Sequence, residues 1–332
     1  MEENKNITVE NNEKKVESLY NGMVLNNVFQ LNFSKDKPKI DLMAGEAEAV
    51  FKIETTTVYI EQYDETKVIH QSIWKLLDFL TIEFTKQNHY KCKKEEINRE
   101  VVVSLSDYIS LRNDSLSKPN ENKIKKETKE DLDILVHMSI EGSENQKKKT
   151  RYFAKAKICE SVKRKKDTII FVFSEELAEY LVNSYVMQYP LSLLKTDSRN
   201  ANLYPLGRKM VLHYGMDNNF IKGTNSKLGV DTALQYCPLI PSCEKVEKSD
   251  RQFNRRIYEP FEKTLRDLGF NYEFLLNGVV KNADDIHGMS CTQYLKMSVS
   301  FSIPDIIIDV ERLTRRKEEK AKAKQRKEKN NI

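Results

Sequence analysis

The chain has 332 residues, a net charge of +5, 39% apolar side chains and 32% charged ones, which suits a protein with small cores and a large polar surface, in one large domain or two. No apolar run is long enough to cross a bilayer, and the polar start MEENKNITVENNEKK has no signal-peptide pattern, so a cytoplasmic, membrane-free chain is expected. The sequence pI of about 8.7 is mild for a nucleic-acid binder, so the placement of charge matters more than its sum.

Residues 1–18 are rich in Asn, Glu and Lys and poor in apolar side chains, as a disordered tail would be. Residues 19–70 read as a β-rich extension. Strand character runs over 19–33 and 51–60, and MAGEAEAVF between them is ambiguous. A first domain is expected over 71–190. Its first helix, SIWKLLDFLTIEFTKQN, places Ile73, Leu76, Leu77, Leu80 and Phe84 on one face. A short strand, VVVSL, precedes the short helix SDYISLRN, with Ser106 as N-cap. A longer helix over 120–138 points Ile124, Leu132, Leu135 and Val136 inward and crowds Lys123, Lys125, Lys126 and Lys129 into its first half. Two strands, 151–161 and 167–173, flank the basic turn VKRKK, and a helix over 174–186 closes the unit.

A linker is expected over 191–203, within a join of two prolines and several turn residues at 187–205. Tyr189, Leu191, Leu193 and Leu194 should dock on the preceding helix, leaving 196–202 as a hinge. The second domain, 204–310, begins with the helix YPLGRKMVLHYG and the short helix KLGVDTALQYC, stopped by Pro238. A third helix spans 249–270, with Ser249 and Gln252 as a capping box. Phe253, Ile257, Phe261, Leu265 and Leu268 form its buried stripe, and Pro260 should kink or split it. Near its N-terminal end lie Arg251, Asn254, Arg255 and Arg256. Arginine's planar fork can pair with guanine O6 and N7 or with phosphate. The alternative is a solvated face balanced by Glu259, Glu262 and Asp267. The β-like runs NYEFLL and YLKMSVSFSI follow, and 311–332 is a basic tail, either a phosphate-binding arm or a solubilising one.

Helix, helix, helix, hairpin is the plan of a winged helix, which lays its third helix in the DNA major groove. Both halves of the chain follow it, so the fold class expected is α+β, mostly helical, with two tandem winged-helix domains after the β-rich extension. An ordinary α+β domain with a solvated Lys-rich helix remains the alternative for the first half.

The element order, with YPLGRKMVLHYGMDNN, CPLIPSCEKV and RRIYEPFEKTLRDLGF, resembles plasmid replication initiator proteins of the tandem winged-helix group. It is similar to initiator-like proteins of plasmids and mobile elements in low-GC Gram-positive bacteria. The resemblance covers about 71–309. It implies a non-enzymatic protein that binds repeated origin sites in double-stranded DNA and recruits host factors such as the replicative helicase or initiator. It also implies that the second winged helix makes the stronger base contact, through Arg251, Arg255 and Arg256, while the first adds DNA contacts and a dimer surface. The extension and Pro260 depart from that pattern.

Catalytic signatures are lacking. The histidines His70, His89, His137, His213 and His287 are scattered, where a rolling-circle initiator needs two flanking one residue; His213 reads as a core or edge histidine. No GxxxxGK[ST] run exists to cradle phosphate, and DIIIDVE at 305–311 reads as a buried strand leaving the wing. Cys92, Cys159, Cys237, Cys243 and Cys291 show no CxxC pair or Cys/His cluster and read as reduced thiols rather than a disulfide frame or zinc site. No cofactor or metal is expected. Two further classes stay open: a winged-helix transcriptional regulator of a mobile element, and an interaction module without DNA.

Overall fold

The computed structural model describes residues 16–29, 31, 38–43, 46–53, 55–64, 69–88, 94–112, 118–146, 149–197, 199–216, 225–246 and 253–306. Expectations for the tail at 1–15, for Ser249, Arg251 and Gln252, for Cys92 and for 307–332 fall outside these residues.

Strand β1 (Val16–Asn21) leads into helix α1 (Met23–Val28). Strands β2 (Lys39–Met43), β3 (Glu46–Ile53) and β4 (Thr56–Ile60) come next. Helix α2 (Ser72–Asn88) precedes β5 (Glu100–Ser104), α3 (Leu105–Arg112) and α4 (Lys118–His137). Strands β6 (Met138–Gln146), β7 (Lys149–Lys157), β8 (Cys159–Lys165) and β9 (Thr168–Phe173) follow. Helix α5 (Glu175–Val182), strand β10 (Tyr185–Pro190) and the single turn α6 (Ser192–Lys195) end the first half. The second half opens on α7 (Leu203–Met216), then β11 (Ser226–Gly229), α8 (Val230–Gln235) and the turn α9 (Cys243–Val246). A π turn, Asn254–Tyr258, runs into α10 (Glu259–Asp267). Strands β12 (Asn271–Leu276) and β13 (Val279–Lys281), helices α11 (Ala283–His287) and α12 (Cys291–Leu295), and strand β14 (Ser298–Ser302) complete the chain.

The chain is α+β, and its two halves share one sheet logic. In the first half β5, β9 and β8 lie side by side in that order. In the second the order is β11, β14, β12, with β13 beyond. In each, the strand before the second helix, β5 or β11, pairs with a strand from late in the half, β9 or β14. The alternation of buried and half-buried positions along β9 fits a sheet covered by helices on one face.

The stretch 19–70 is stitched into the first half rather than appended to it. Its strands β2, β3 and β4 join β6 and β7 in a five-stranded sheet in the order β2-β3-β4-β6-β7, with Thr56 opposite Gly142 and Ile60 opposite Met138. Strand β1 pairs antiparallel with β10, Val16 opposite Pro190 and Asn21 opposite Tyr185.

Several local expectations are corrected by long-range pairing. The helix expected over 174–186 ends at Val182, because Tyr185–Pro190 is drawn into the ladder with β1. Its start is as expected for a capped helix: the Ser174 hydroxyl accepts from the Leu177 amide at 3.2 Å. In KLGVDTALQYC the first residues pair with β14, and the helix begins only at Val230. YLKMSVSFSI likewise begins in α12, held by the Ser290–Gln293 capping box, and becomes strand at Ser298. The run 19–33 divides into β1 and α1, and β6 was not anticipated at all. His213 sits half-buried with its ring 6.3 Å from Phe301, and Ile306, the last described residue of DIIIDVE, is buried.

The cysteine reading is also corrected. Cys243 of α9 and Cys291 of α12 are joined by a disulfide, their Cα atoms 5.8 Å apart. Two short turns far apart in sequence bring them together, which spacing alone does not reveal. Cys159 and Cys237 are free and buried.

One apolar cluster runs through both halves, from Trp74, Phe84 and Phe171 to Phe261, Tyr294 and Phe301. Leu193 and Leu194, inside the expected linker, are buried in it. Gly207 of α7 makes this fit possible: a Cβ there would meet Leu193 at 2.6 Å and Leu268 at 2.7 Å.

Candidate nucleic-acid interface

In the second half the apolar stripe forms as its spacing dictates. Phe253, Ile257, Phe261, Leu265 and Leu268 are all buried, with Tyr258 beside them. Pro260 is the second residue of α10, directly after the π turn, and the helix runs on through it. Upstream of it the backbone winds as a π turn, so the helix changes type at this point rather than kinking at the proline. A π turn is a local widening that recurs at functional sites. Here it carries Arg255 and Arg256, both exposed.

Asn254 behaves differently. It is half-buried, and its Nδ2 donates to the His287 carbonyl at 3.3 Å. Its amide is turned toward the end of α11, and Tyr258 stacks edge-on to His287 at 5.4 Å below it. Phe253, at the entry to the π turn, packs against Tyr294 of α12 at 5.2 Å. The disulfide at Cys291 therefore sits one turn from the aromatic that seats this helix.

In the first half α4 presents Lys123, Lys125, Lys126 and Lys129 on its exposed side. Three of them are held by carboxylates one turn away: Lys125 by Glu121 at 2.8 Å, Lys123 by Glu127 at 3.6 Å and Lys126 by Glu130 at 3.8 Å. Such pairs are worth only a few tenths of a kcal/mol each, so the lysines can be recruited by another anion. The buried side of α4 carries Glu127 and Asp131, facing Arg112 and Tyr108 of α3 and Ser72 of α2. Arg112 Nη2 donates to Glu127 Oε2 at 3.1 Å. Burial pushes the Asp131 carboxyl up to about 8, with Ser72 and Arg112 opposing.

Beside α4 lies the hairpin β8–β9, whose tip exposes Lys163, Arg164, Lys165 and Lys166. Arg164 Nη2 reaches back to Asp133 of α4 at 2.8 Å, fixing hairpin to helix. Asp167 at the turn accepts from the Ser106 amide at 2.9 Å and from the Ser104 hydroxyl at 2.9 Å. The Ser106 hydroxyl, which also donates to it at 2.6 Å, and then the Ser104 hydroxyl hold its carboxyl below the usual range, while the Ser106 amide bond caps the N-terminus of α3. Helix face and hairpin tip thus make one basic strip. The sequence reading singled out the helix lysines but not those of the tip, although VKRKK between two strands was the signal. In the second half β14 takes the place of β9 beside β12, and the added hairpin β12–β13 turns through Asn277 and Gly278 at φ 52° and 83° and exposes Val279 and Val280.

No described helix is long and apolar enough to cross a membrane. No protein-family model matches the chain, and no curated protein matches it. Among solved structures, domains 2 and 3 of RctB are similar at a TM-score of 0.40 and 11% identity, over 83% of this chain and 96% of that one. A likeness at that level carries no argument about family, fold or function.

Proposed function

We propose that the chain is a non-catalytic, sequence-specific DNA-binding protein of two winged helices that initiates replication of a plasmid or mobile element in the cytoplasm. One observation carries the reading. Each half contains the run helix, strand, helix and orders three strands alike, β5-β9-β8 and β11-β14-β12, with β6 and β7 following α4 in the first and α9 preceding the π turn in the second; each exposes cations on its later helical segment, and the first also on its hairpin. In a winged helix the third helix enters the major groove and the hairpin tip lies along the backbone. Arg255 and Arg256, exposed on the π turn, suit base edges, and the strip Lys123–Lys129 with Lys163–Lys166 suits phosphate. Origin direct repeats in double-stranded DNA are the proposed ligand; a host helicase or initiator, and a second copy of the chain, are the proposed partners.

A footprint of the purified protein over the DNA flanking its own gene tests this. Protection of an array of direct repeats is the expected result. Protection of one palindrome at a promoter would instead make the chain a transcriptional regulator, and no protection at physiological salt would remove the DNA reading.

A further inference from the structure

Between the halves lies a buried polar cluster that neither DNA surface uses. Asp78 of α2 is 1% exposed and Arg208 of α7 is 3% exposed. Arg208 grips Asp78 with both arms of its fork, Nε to Oδ2 at 2.8 Å and Nη2 to Oδ1 at 3.1 Å. Its remaining arm donates to Asn26 Oδ1 of α1 at 2.6 Å, and its plane lies 3.5 Å from the Phe29 ring centroid. The Tyr204 hydroxyl, also on α7, donates to Asp78. Tyr189 of β10 meets that hydroxyl at 3.1 Å. Next to them the Lys75 ammonium donates to the carbonyl of Thr196, the first residue of the expected hinge. At the hinge's far end the Leu239 amide donates to Asn202 Oδ1 at 2.7 Å.

An apolar contact between two halves can slide or rotate at little cost, because packing is non-directional. A forked, fully desolvated ion pair cannot. A buried pair returns little net stability over well-packed apolar residues, so its value lies in the geometry it demands. Helices α1, α2 and α7 and strand β10 all converge on this one guanidinium–carboxylate pair.

We propose that Asp78 and Arg208 are positioning residues that fix the relative orientation of the two halves, so that paired DNA sites are recognised at one separation. The DNA part of this rests on the function proposed above; the orientation part does not. With the pair removed, the apolar contact between the halves remains but no longer demands one orientation.

The test uses the full chain, with spin labels carried by non-natural residues at the exposed positions 176 and 284. The wild type should give one narrow distance distribution. The double variant Asp78→Leu/Arg208→Met, which removes both charges of the pair together, should fold and should broaden it about twofold or more, because non-directional packing alone then holds the halves. Arg208→Lys, which keeps the charge and loses the fork, should broaden it too. On DNA carrying two sites at varied spacing, the wild type should prefer one spacing and the double variant should lose that preference while keeping single-site affinity. An unchanged distance distribution in the double variant overturns the clamp. A broadened distribution in a chain that binds none of the DNAs upholds the clamp and overturns the DNA reading instead.

Discussion

The two halves share an element order and differ in where they keep charge. The first buries acids in its third helix, Glu127 and Asp131, and displays lysines on the outside of that helix and on its hairpin. In the second, the buried polar residue of α10 is the neutral Thr264, which donates to the Pro260 carbonyl at 2.7 Å. It displays two arginines on a π turn, and its hairpin tip is apolar, Val279 at 59% and Val280 at 55% exposure. Lysine is a compact, strongly hydrated charge that meets phosphate without regard to base, whereas arginine's fork fits guanine. Under the proposed function, one architecture would serve two tasks, holding DNA with the first half and reading it with the second. The second half alone, among the described residues, also carries a covalent tie.

The buried acid gives the largest test of this contrast. Asp131 has its carboxyl raised from 3.8 to about 8 by burial, with Tyr108 and Arg112 of α3, Glu127 and Glu130 of α4 and Ser72 of α2 as its polar neighbours. A raised acid holds its proton in the folded state after the unfolded chain has released it. Stability should therefore fall as pH rises from about 4 to 8, by on the order of a few kcal/mol, and level off above. Denaturant titrations across that range should show the slope, and Asp131→Asn should flatten it. If the slope survives the substitution, Asp131 is not its source. In a chain where the halves unfold in separate steps, the slope should follow the first half's step.

The disulfide breaks the symmetry from the other side. Cys243 and Cys291 close a loop with a sequence separation of 48 that contains the π turn, α10 and the β12–β13 hairpin. Chain entropy gives such a closure about 2–4 kcal/mol. Cys243→Ser with Cys291→Ser should lower the second half's stability by about that much and leave the first half's pH slope untouched. Equal stability with and without reductant would show that the bond does not form in the purified protein.

Much of this was legible beforehand, and the reason differs by element. The third helix of the second half announced itself because its stripe from Phe253 to Leu268 depends only on local spacing. The strand at Tyr185–Pro190 did not, since its partner lies at Val16–Asn21. Strands β6 and β11 were missed for the same reason: pairing across the fold overrode helix-like or featureless local sequence. At the candidate interface, the lysines and arginines could be named from the sequence. The glutamates that hold three of those lysines, the inward turn of Asn254 and the Asp78–Arg208 pair could not, because each depends on which neighbour burial supplies.

The arginines provide a smaller and more specific test. Arg255→Ala or Arg256→Ala should weaken binding to the cognate site by about 1–3 kcal/mol if either meets a base edge. Both are exposed, so the thermal midpoint should hardly move. Asn254→Ala should do the reverse. Its amide is spent on the His287 carbonyl, so the loss should appear in stability before it appears in affinity. Unchanged affinity in both arginine variants would take the reading role away from this helix.

The smallest expected effects fall on the lysines, and they separate the strip into two kinds. Lys123, Lys125 and Lys126 each start from a carboxylate on the same helix, while among the described residues no acid pairs with Lys129, Lys163, Lys165 or Lys166. If the first half touches only phosphates, removing one of the latter should weaken all DNA sequences alike. Each should reduce the slope of log affinity against log salt by about one unit. Removing one of the former should cost less, because the phosphate contact must displace a glutamate. The decisive variant therefore adds affinity rather than removing it. Glu130→Gln releases Lys126, whose ammonium lies 3.8 Å from that carboxylate, and removes a negative charge from the strip. Non-specific binding should tighten, and the salt slope should steepen by less than one unit, as for one contact partly gained. The same charge removed at Glu259, on the arginine helix, should instead favour the cognate site over random DNA. If Glu130→Gln leaves both affinity and salt slope unchanged, the lysine face of α4 does not meet DNA at all. The first half would then hold its place through the hairpin tip alone.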